Sequence, residues 1–218
     1  MSEISNPVIY QLKVVLLGIS PMIWRRIKVR SDNTIADLHY IIQIAMGWKD
    51  EHLHKFSIYG VNYGISYVGG IGFFDNAHEV KLSRFNLRER EKFTYEYDFC
   101  SNWKHSIRVE AILQDSNKKP LPLCTAGKGA CPPEHCGGVR KFIQLRQQHN
   151  QFSLAIRVGE IILNEGIDEV SKHRDELVSL HYWSTINDKI DCSKINHRLQ
   201  QYIAGDEAWR DYLVETIG

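Results

Sequence analysis

Two runs of strict alternation, separated by a short polar turn, restrict this chain more than any other feature. Phe93, Tyr95, Tyr97 and Phe99 recur at every second position. Trp103, His105, Ile107, Val109 and Ala111 do so again after Cys100-Ser101-Asn102. A period of two puts each set on one side of a pleated strand, so the segment predicts a hairpin with one buried and one wet face. Such a hairpin needs more strands beside it and a layer over its apolar side.

The preceding residues supply both. Tyr10, Leu12, Val14 and Leu16 alternate up to a Gly18-Ile19-Ser20-Pro21 turn, and Ile23, Ile27 and Val29 share a face of the next strand, Met22 to Val29. Arg25 and Arg26 interrupt that strand, so at least one of them is expected to reach solvent or a partner; with Lys28 and Arg30 they read as a solvated basic face. Thr34-Ile35-Ala36-Asp37 has capping-box form, Ile35, Leu38, Ile41, Ile42 and Ala45 follow at helical spacing, and Gly47 is placed to end the helix. A third strand is expected around His52 to Val61. Hairpin, helix, strand is the order of a β-grasp-like half. The glycine- and aromatic-rich stretch Asn62 to Asn76 lacks the lysine of a phosphate loop and reads as a structural loop.

Asp115 to Pro122 reads as a polar loop, and from Val139 the pattern turns helical. Phe142, Ile143 and Leu145 open one helix; Leu154, Val158, Ile161 and Ile162 mark a second; Ile167, Val170, Leu177 and Val178 mark a third. Asp191 or Ser193 is expected to cap a fourth, bearing Ile195, Leu199, Tyr202 and Ile203. Asp206 opens a last short helix with Trp209, Tyr212 and Leu213. The expectation is one α+β domain over 1–218, a β-rich part at 8–138 covered by a helical extension at 139–218.

Lys and Arg number 27 against 26 Asp and Glu, a net charge of +1, so no global basic field attracts nucleic acid or anionic lipid. No apolar stretch approaches the ~20 residues of a membrane helix. Met1 to Pro7 lacks the layout of a signal peptide, and the five cysteines are an odd count. Together these predict a reducing, cytoplasmic setting.

Two constellations carry candidate chemistry. Cys124, Cys131 and Cys136 lie with His135 in a glycine- and proline-bent segment. Cys₃His is an accepted zinc set, although no C-x₂-C knuckle is present. Glu134 beside them is open to either a capping or a catalytic role. The second constellation is His52-Leu53-His54. On an extended strand both imidazoles share a face, where His105 and Asp98 of the later hairpin are expected to meet them. Each of these residues taken alone reads as an ordinary core, edge or loop side chain. Cys100 reads as a turn cysteine.

Several separated stretches resemble the Ri-plasmid (pRiA-four-b) ORF-three-like family, also seen as insertion-element passenger proteins. They are Tyr10-Gln11-Leu12-Lys13-Val14; Pro21-Met22-Ile23-Trp24-Arg25-Arg26; Met46-Gly47-Trp48 leading to His52-Leu53-His54-Lys55-Phe56; Tyr97-Asp98-Phe99 leading to Trp103-Lys104-His105; and Gly127 to Glu134, closed by Cys136-Gly137-Gly138. The resemblance implies an α+β fold and a cytoplasmic protein, and no established reaction. It concentrates interest on His52, His54, Asp98, His105, Cys131 and Glu134. Cys100-Ser101 and His135 stand where the family pattern has glycine-acid and aspartate, which shifts any metal site toward nitrogen and sulfur ligands.

The leading expectation is a divalent metal, zinc by ligand type, held by His52, His54 and His105, with Cys124, Cys131 and Cys136 forming a second structural site or part of the same one. A metal-dependent hydrolase, with nucleic acid as one candidate substrate and with Glu134 or Asp98 activating a bound water, is the competing class. A metal-free accessory module for DNA or protein is the third. The sequence identifies no particular partner.

Overall fold

A computed structural model describes residues 7–114, 120–149, 151–185 and 190–210. The expectations for Met1 to Asn6, for the 115–119 loop and for Tyr212 and Leu213 lie outside the described residues.

The alternating segments form β1 (Val8–Leu16), β2 (Ile23–Arg30), β3 (His54–Ile58), β4 (Val61–Tyr63), β5 (Lys92–Tyr97), β6 (Trp103–Gln114) and β7 (Leu123–Lys128). They make one sheet in the order β4-β3-β5-β6-β1-β2-β7. Every pairing is antiparallel. The hairpin–helix–strand order is therefore present without a β-grasp arrangement: β3 lies beyond β5 and β6 from β1 and pairs with neither strand of the first hairpin. The sheet is α+β in class as expected.

Helix α1 (Ile35–Met46) covers the sheet's apolar face. Its start has both halves of the capping box: Asp37 N–H donates to Thr34 Oγ1 at 3.1 Å and Thr34 N–H donates to Asp37 Oδ2 at 2.8 Å. Gly47 ends it at φ 82°, a left-handed cap that only glycine adopts without strain. Almost every side chain of α1 is buried, including His39 and Gln43, so this is a core helix rather than an amphipathic surface one. Trp48 follows directly and stacks on Tyr97, ring centroids 5.2 Å apart, with Trp103 at 5.8 Å.

Arg25 departs from the solvated-face expectation. Alternation along β2 puts Ile23, Arg25 and Ile27 inside and Trp24, Arg26 and Lys28 outside, so two consecutive arginines cannot share a face. Beside Arg25, Gly127 of β7 is a close approach: a Cβ there would lie 2.7 Å from the Trp24 carbonyl oxygen.

The C-terminal part folds into α2 (Gly138–Gln148), α3 (Gln151–Asn164), α4 (Arg174–Thr185) and α5 (Cys192–Ile203). The third expected helix divides into a 3₁₀ segment at Ile167–His173 and α4. Asp191 caps α5 by accepting from Ser193 N–H and Lys194 N–H. Only α5 lies against β7 and α1, whereas α2, α3 and α4 pack mainly on one another. The helical part thus flanks the sheet more than it covers it, because α1 already occupies the apolar face. No helix among the described residues is long and apolar enough to cross a membrane.

Candidate functional site

A closed ring of hydrogen bonds lies between α1 and β5. His39 and Gln43, four residues apart, share one face of the helix. His39 Nδ1 meets the Tyr95 hydroxyl at 2.8 Å, and Gln43 Nε2 donates to the same hydroxyl at 2.8 Å. His39 Nε2 lies 2.7 Å from Asp50 Oδ1, and Asp50 N–H returns to Gln43 Oε1 at 3.1 Å. Asp50 sits in the turn after α1 at φ 63°. The Arg210 guanidinium approaches its other oxygen at 3.7 Å.

His54, the first residue of β3, stacks on His39 from the sheet side, centroids 3.5 Å apart and planes 9° from parallel. Its Nε2 accepts a long bond from Ile65 N–H at 3.4 Å, and its buried Nδ1 has no partner. Both rings are held neutral. Burial pushes His39 down to about 3, with Arg210 adding to the effect. Burial and then the neighbouring His39 push His54 well below its ordinary value. Asp50 moves the other way, raised by burial to about 6 against the pull of His54 and Arg210.

One donor atom from each of His39, Asp50 and His54 lies within 4.8 Å of the other two, the reach of a single metal ion. Asp50 also lines an open cleft of about 300 Å³ together with Glu51, His52, Leu53 and Tyr67. The Asn62–Asn76 loop thus contributes Tyr67 to the cleft wall, where burial raises its phenol to about 12.

The expected constellations are dispersed. His52 precedes β3 and is half-exposed, so it does not share a strand face with His54. It faces His135 at 3.4 Å and Asp98 at 3.8 Å, while His135 Nε2 meets Glu51 Oε2 at 2.7 Å. Glu51, Glu134 and His135 form a second group of ligand-type atoms within 4.8 Å, of which Glu51 lines the same cleft. His105 is wholly buried against Trp48 and on the far side of Tyr95 from His54, with no partner of good geometry on either nitrogen.

The three cysteines do not converge. Cys124 Sγ is 4.0 Å from Cys192, which lies outside the expected constellation, and burial raises Cys124 to about 12. Cys131 Sγ packs on Met46 Sδ at 3.1 Å and accepts from Arg25 Nη2 at 3.1 Å. Cys136 is half-buried, and burial raises it to about 11. No group of metal-ligand side chains among the described residues contains a cysteine.

The two candidate catalytic carboxylates hold backbone. Glu134 accepts from the Tyr97 hydroxyl, from Lys49 N–H at 2.9 Å and from Glu51 N–H at 3.4 Å. Asp98, in a left-handed turn at φ 52°, accepts from Cys100 N–H at 3.1 Å. Burial works to raise its carboxyl, and hydrogen bonds from Ser101 and Cys100 with the charge of His52 outweigh it, leaving the group below its usual range. Trp48 Nε1–H donates to Pro132 O at 2.9 Å, so the 131–136 segment docks on the turn that carries Asp50.

His39, Gln43, Asp50 and Tyr95 were missed in the sequence. The available signal was His39 and Gln43 at i, i+4 in an otherwise apolar helix, two polar groups with nowhere to go but a buried partner.

Fold and site define an α+β protein with a one-sheet scaffold and a polar cluster between its covering helix and the sheet. The chain belongs to the plasmid pRiA4b ORF-3-like protein family, whose model matches residues 8–152. It is similar to the uncharacterized protein y4hQ of Sinorhizobium fredii (strain NBRC 101917 / NGR234), 33% identical over 131 residues, which cover 60% of this chain and 67% of that one. The crystal structure of a protein of unknown function, MM3350 from Methanosarcina mazei Go1, shares the fold at a TM-score of 0.65 and 30% identity, covering 87% of this chain and 97% of that one.

Proposed function

We propose that the chain binds one divalent metal ion through His39, Asp50 and His54 at the inner end of the cleft. Zinc is the ion that two imidazoles and a carboxylate suit, with a fourth position left toward the cleft. The observation that carries this reading is the convergence of three ligand-type donors within 4.8 Å, beside an opening that reaches one of them.

Two details support it. Tyr95 OH on His39 Nδ1 is the outer contact that fixes a ligating imidazole. His54 Nδ1 is buried without a hydrogen-bond partner, so one nitrogen of that ring is unengaged. A metal lies in the plane of each imidazole it binds, and two parallel rings 3.5 Å apart share no such point near both nitrogens. Binding therefore turns His54 about its Cβ–Cγ bond, a broad torsion, at the loss of one long hydrogen bond to Ile65. Hydrolysis would further need a base facing the ion, and Glu134 and Asp98 are occupied with backbone N–H groups. The reading is accordingly metal binding, with no hydrolytic step assigned to either of them.

The closed ring through Asp50, His39, Tyr95 and Gln43 favours a second reading, a polar clamp that fixes the turn after α1 in a metal-free module. Elemental analysis and zinc titration of tag-free protein separate the two. About one equivalent of zinc, lost in Asp50→Asn and His54→Gln variants that remain folded, supports the site. A wild-type chain that takes up no metal overturns it and leaves the clamp.

A further inference from the structure

The face of the sheet opposite α1 is built against ordinary strand-pairing preference. Four cations stand in register across four adjacent strands: Lys92 on β5 opposite Arg108 on β6, Arg108 opposite Lys13 on β1, and Lys13 opposite Arg26 on β2. Like charges directly opposite one another destabilise a sheet, and here three such pairs follow in succession. The strands of this face carry Lys13, Arg26, Lys28, Arg30, Lys55, Lys92, Lys104, Arg108 and Lys128 against Glu96 and Glu110, with Arg30 paired to Asp32, on a chain whose total is only +1.

Glu110 is placed at the bulge where the β1–β6 register shifts, and it reaches Arg26 and, at 3.8 Å, Arg108. One carboxylate does not offset the row. At the β5–β6 end, Arg90, Lys92 and Arg108 surround a surface depression of about 370 Å³ with Val109 and Glu110. At the β2 end the indole of Trp24 lies on the same face, with Lys13 Nζ 4.6 Å and Arg26 Cζ 5.4 Å from its ring centroid. A concentrated cationic row with an aromatic at one end, on an otherwise charge-balanced chain, is the complement of a phosphate backbone.

We propose that this open face binds single-stranded nucleic acid, its phosphates running along Lys92, Arg108, Lys13 and Arg26 and a base reaching Trp24. Among the described residues this antiparallel face offers no helix or protruding ribbon to enter a duplex groove, which favours the single strand. The surface lies on the other side of the sheet from His39, Asp50 and His54, so it stands apart from the metal reading.

The test is fluorescence anisotropy with a labelled thirty-base DNA strand, the same sequence as RNA and the same sequence as duplex, over a salt series. The expected result is single-strand binding whose log–log salt slope is about −2 to −3, at roughly −0.7 for each phosphate engaged. The Lys13→Glu/Lys92→Glu double variant turns the row into alternating charges. It should be at least as resistant to urea as the wild type, yet bind about tenfold or more weakly with a flatter slope. Lys141→Glu on α2 should bind as the wild type does, and Lys13→Gln/Lys92→Gln should fall between. No binding at low salt, tighter binding of the duplex, equal binding of polyglutamate, or affinity unchanged in the double variant each overturns the proposal.

Discussion

His39 and His54 lie face to face, 3.5 Å between centroids and 9° from parallel, one ring from the covering helix and the other from the sheet. Two imidazolium rings cannot occupy that geometry together, so the stack does not survive protonation of both. Burial keeps them neutral by holding both far below their ordinary values. The stack is therefore the point where helix, sheet and cleft become one electrostatic unit.

The ring of hydrogen bonds that supports the stack passes through one atom. Tyr95 OH serves both His39 Nδ1 and Gln43 Nε2, all of them buried. Tyr95→Phe leaves both nitrogens without that partner in a site closed to water. The expected loss is ~2–6 kcal/mol by urea denaturation, from two buried polar groups at ~1–3 kcal/mol each. A loss below ~0.5 kcal/mol would show that the ring contributes nothing to the fold.

His105 gives the chain an acid-sensitive core. Burial pushes it down to about 4, although the backbone of Tyr95 and Trp103 favours its charged form. In the unfolded chain it titrates near 6.5, so below that pH the unfolded state takes up a proton that the native state refuses. Its effect is absent above pH ~6.5 and grows as the pH falls toward the folded value, reaching about 2–3 kcal/mol of lost stability near pH 4.5. His105→Leu keeps a similar volume and removes the titration. The variant should be within ~1 kcal/mol of wild type at pH 7 and more stable than it at pH 4.5 by about 2 kcal/mol. Parallel guanidinium curves at the two pH values would refute this.

Asn196 protects the sheet's edge at β7. From α5 its Oδ1 accepts from Cys124 N–H at 2.7 Å and its Nδ2 donates to Cys124 O at 3.0 Å, covering backbone groups that an edge strand exposes. Asn196→Ala should cost ~2 kcal/mol and accelerate amide exchange at Cys124 relative to the β1 core. Unchanged exchange there would mean that α5 packing alone holds the edge.

How far these features could be read in advance depended on whether a residue's partner is local. The Thr34–Asp37 box, the Gly47 cap and the hairpin of Phe93 and Trp103 are settled within a few residues, and each is present, although β5 ends at Tyr97 and the turn takes in Asp98 and Phe99. His52 and His54 were placed together by a period of two, but β3 begins only at His54, and the preceding residues are held by Tyr97 OH, which accepts from Glu51 and His52 N–H. The cysteines were grouped by closeness in sequence. Cys124 instead turns to Cys192 and Cys131 to Met46 and Arg25, contacts set by strand order. His39 is marked only by its i, i+4 spacing from Gln43 and Asp50 by nothing local, so only the fold joins them.

Arg25 shows how a buried cation is accommodated without a carboxylate. Its Nε donates to Ala45 O at 2.9 Å, its Nη1 to Trp24 O at 2.9 Å and Lys128 O at 3.2 Å, and its Nη2 to Cys131 Sγ at 3.1 Å. Ala45 belongs to the last turn of α1, where the carbonyls lack helical partners and the dipole is negative, and α1 has no basic residue of its own there. Arg25 supplies that charge from β2 and ties the helix end to β7. Lysine would keep the charge but not the planar fork, since one ammonium cannot span acceptors on both sides of the guanidinium. Arg25→Lys should therefore lose ~2 kcal/mol, and Arg25→Met ~3 kcal/mol or more, as Ala45 O and Lys128 O are left without their donors. Guanidinium denaturation of the two variants checks the order. A lysine variant as stable as wild type would assign the whole effect to charge at the helix end, and a methionine variant within ~1 kcal/mol would remove Arg25 as the link between α1 and the sheet.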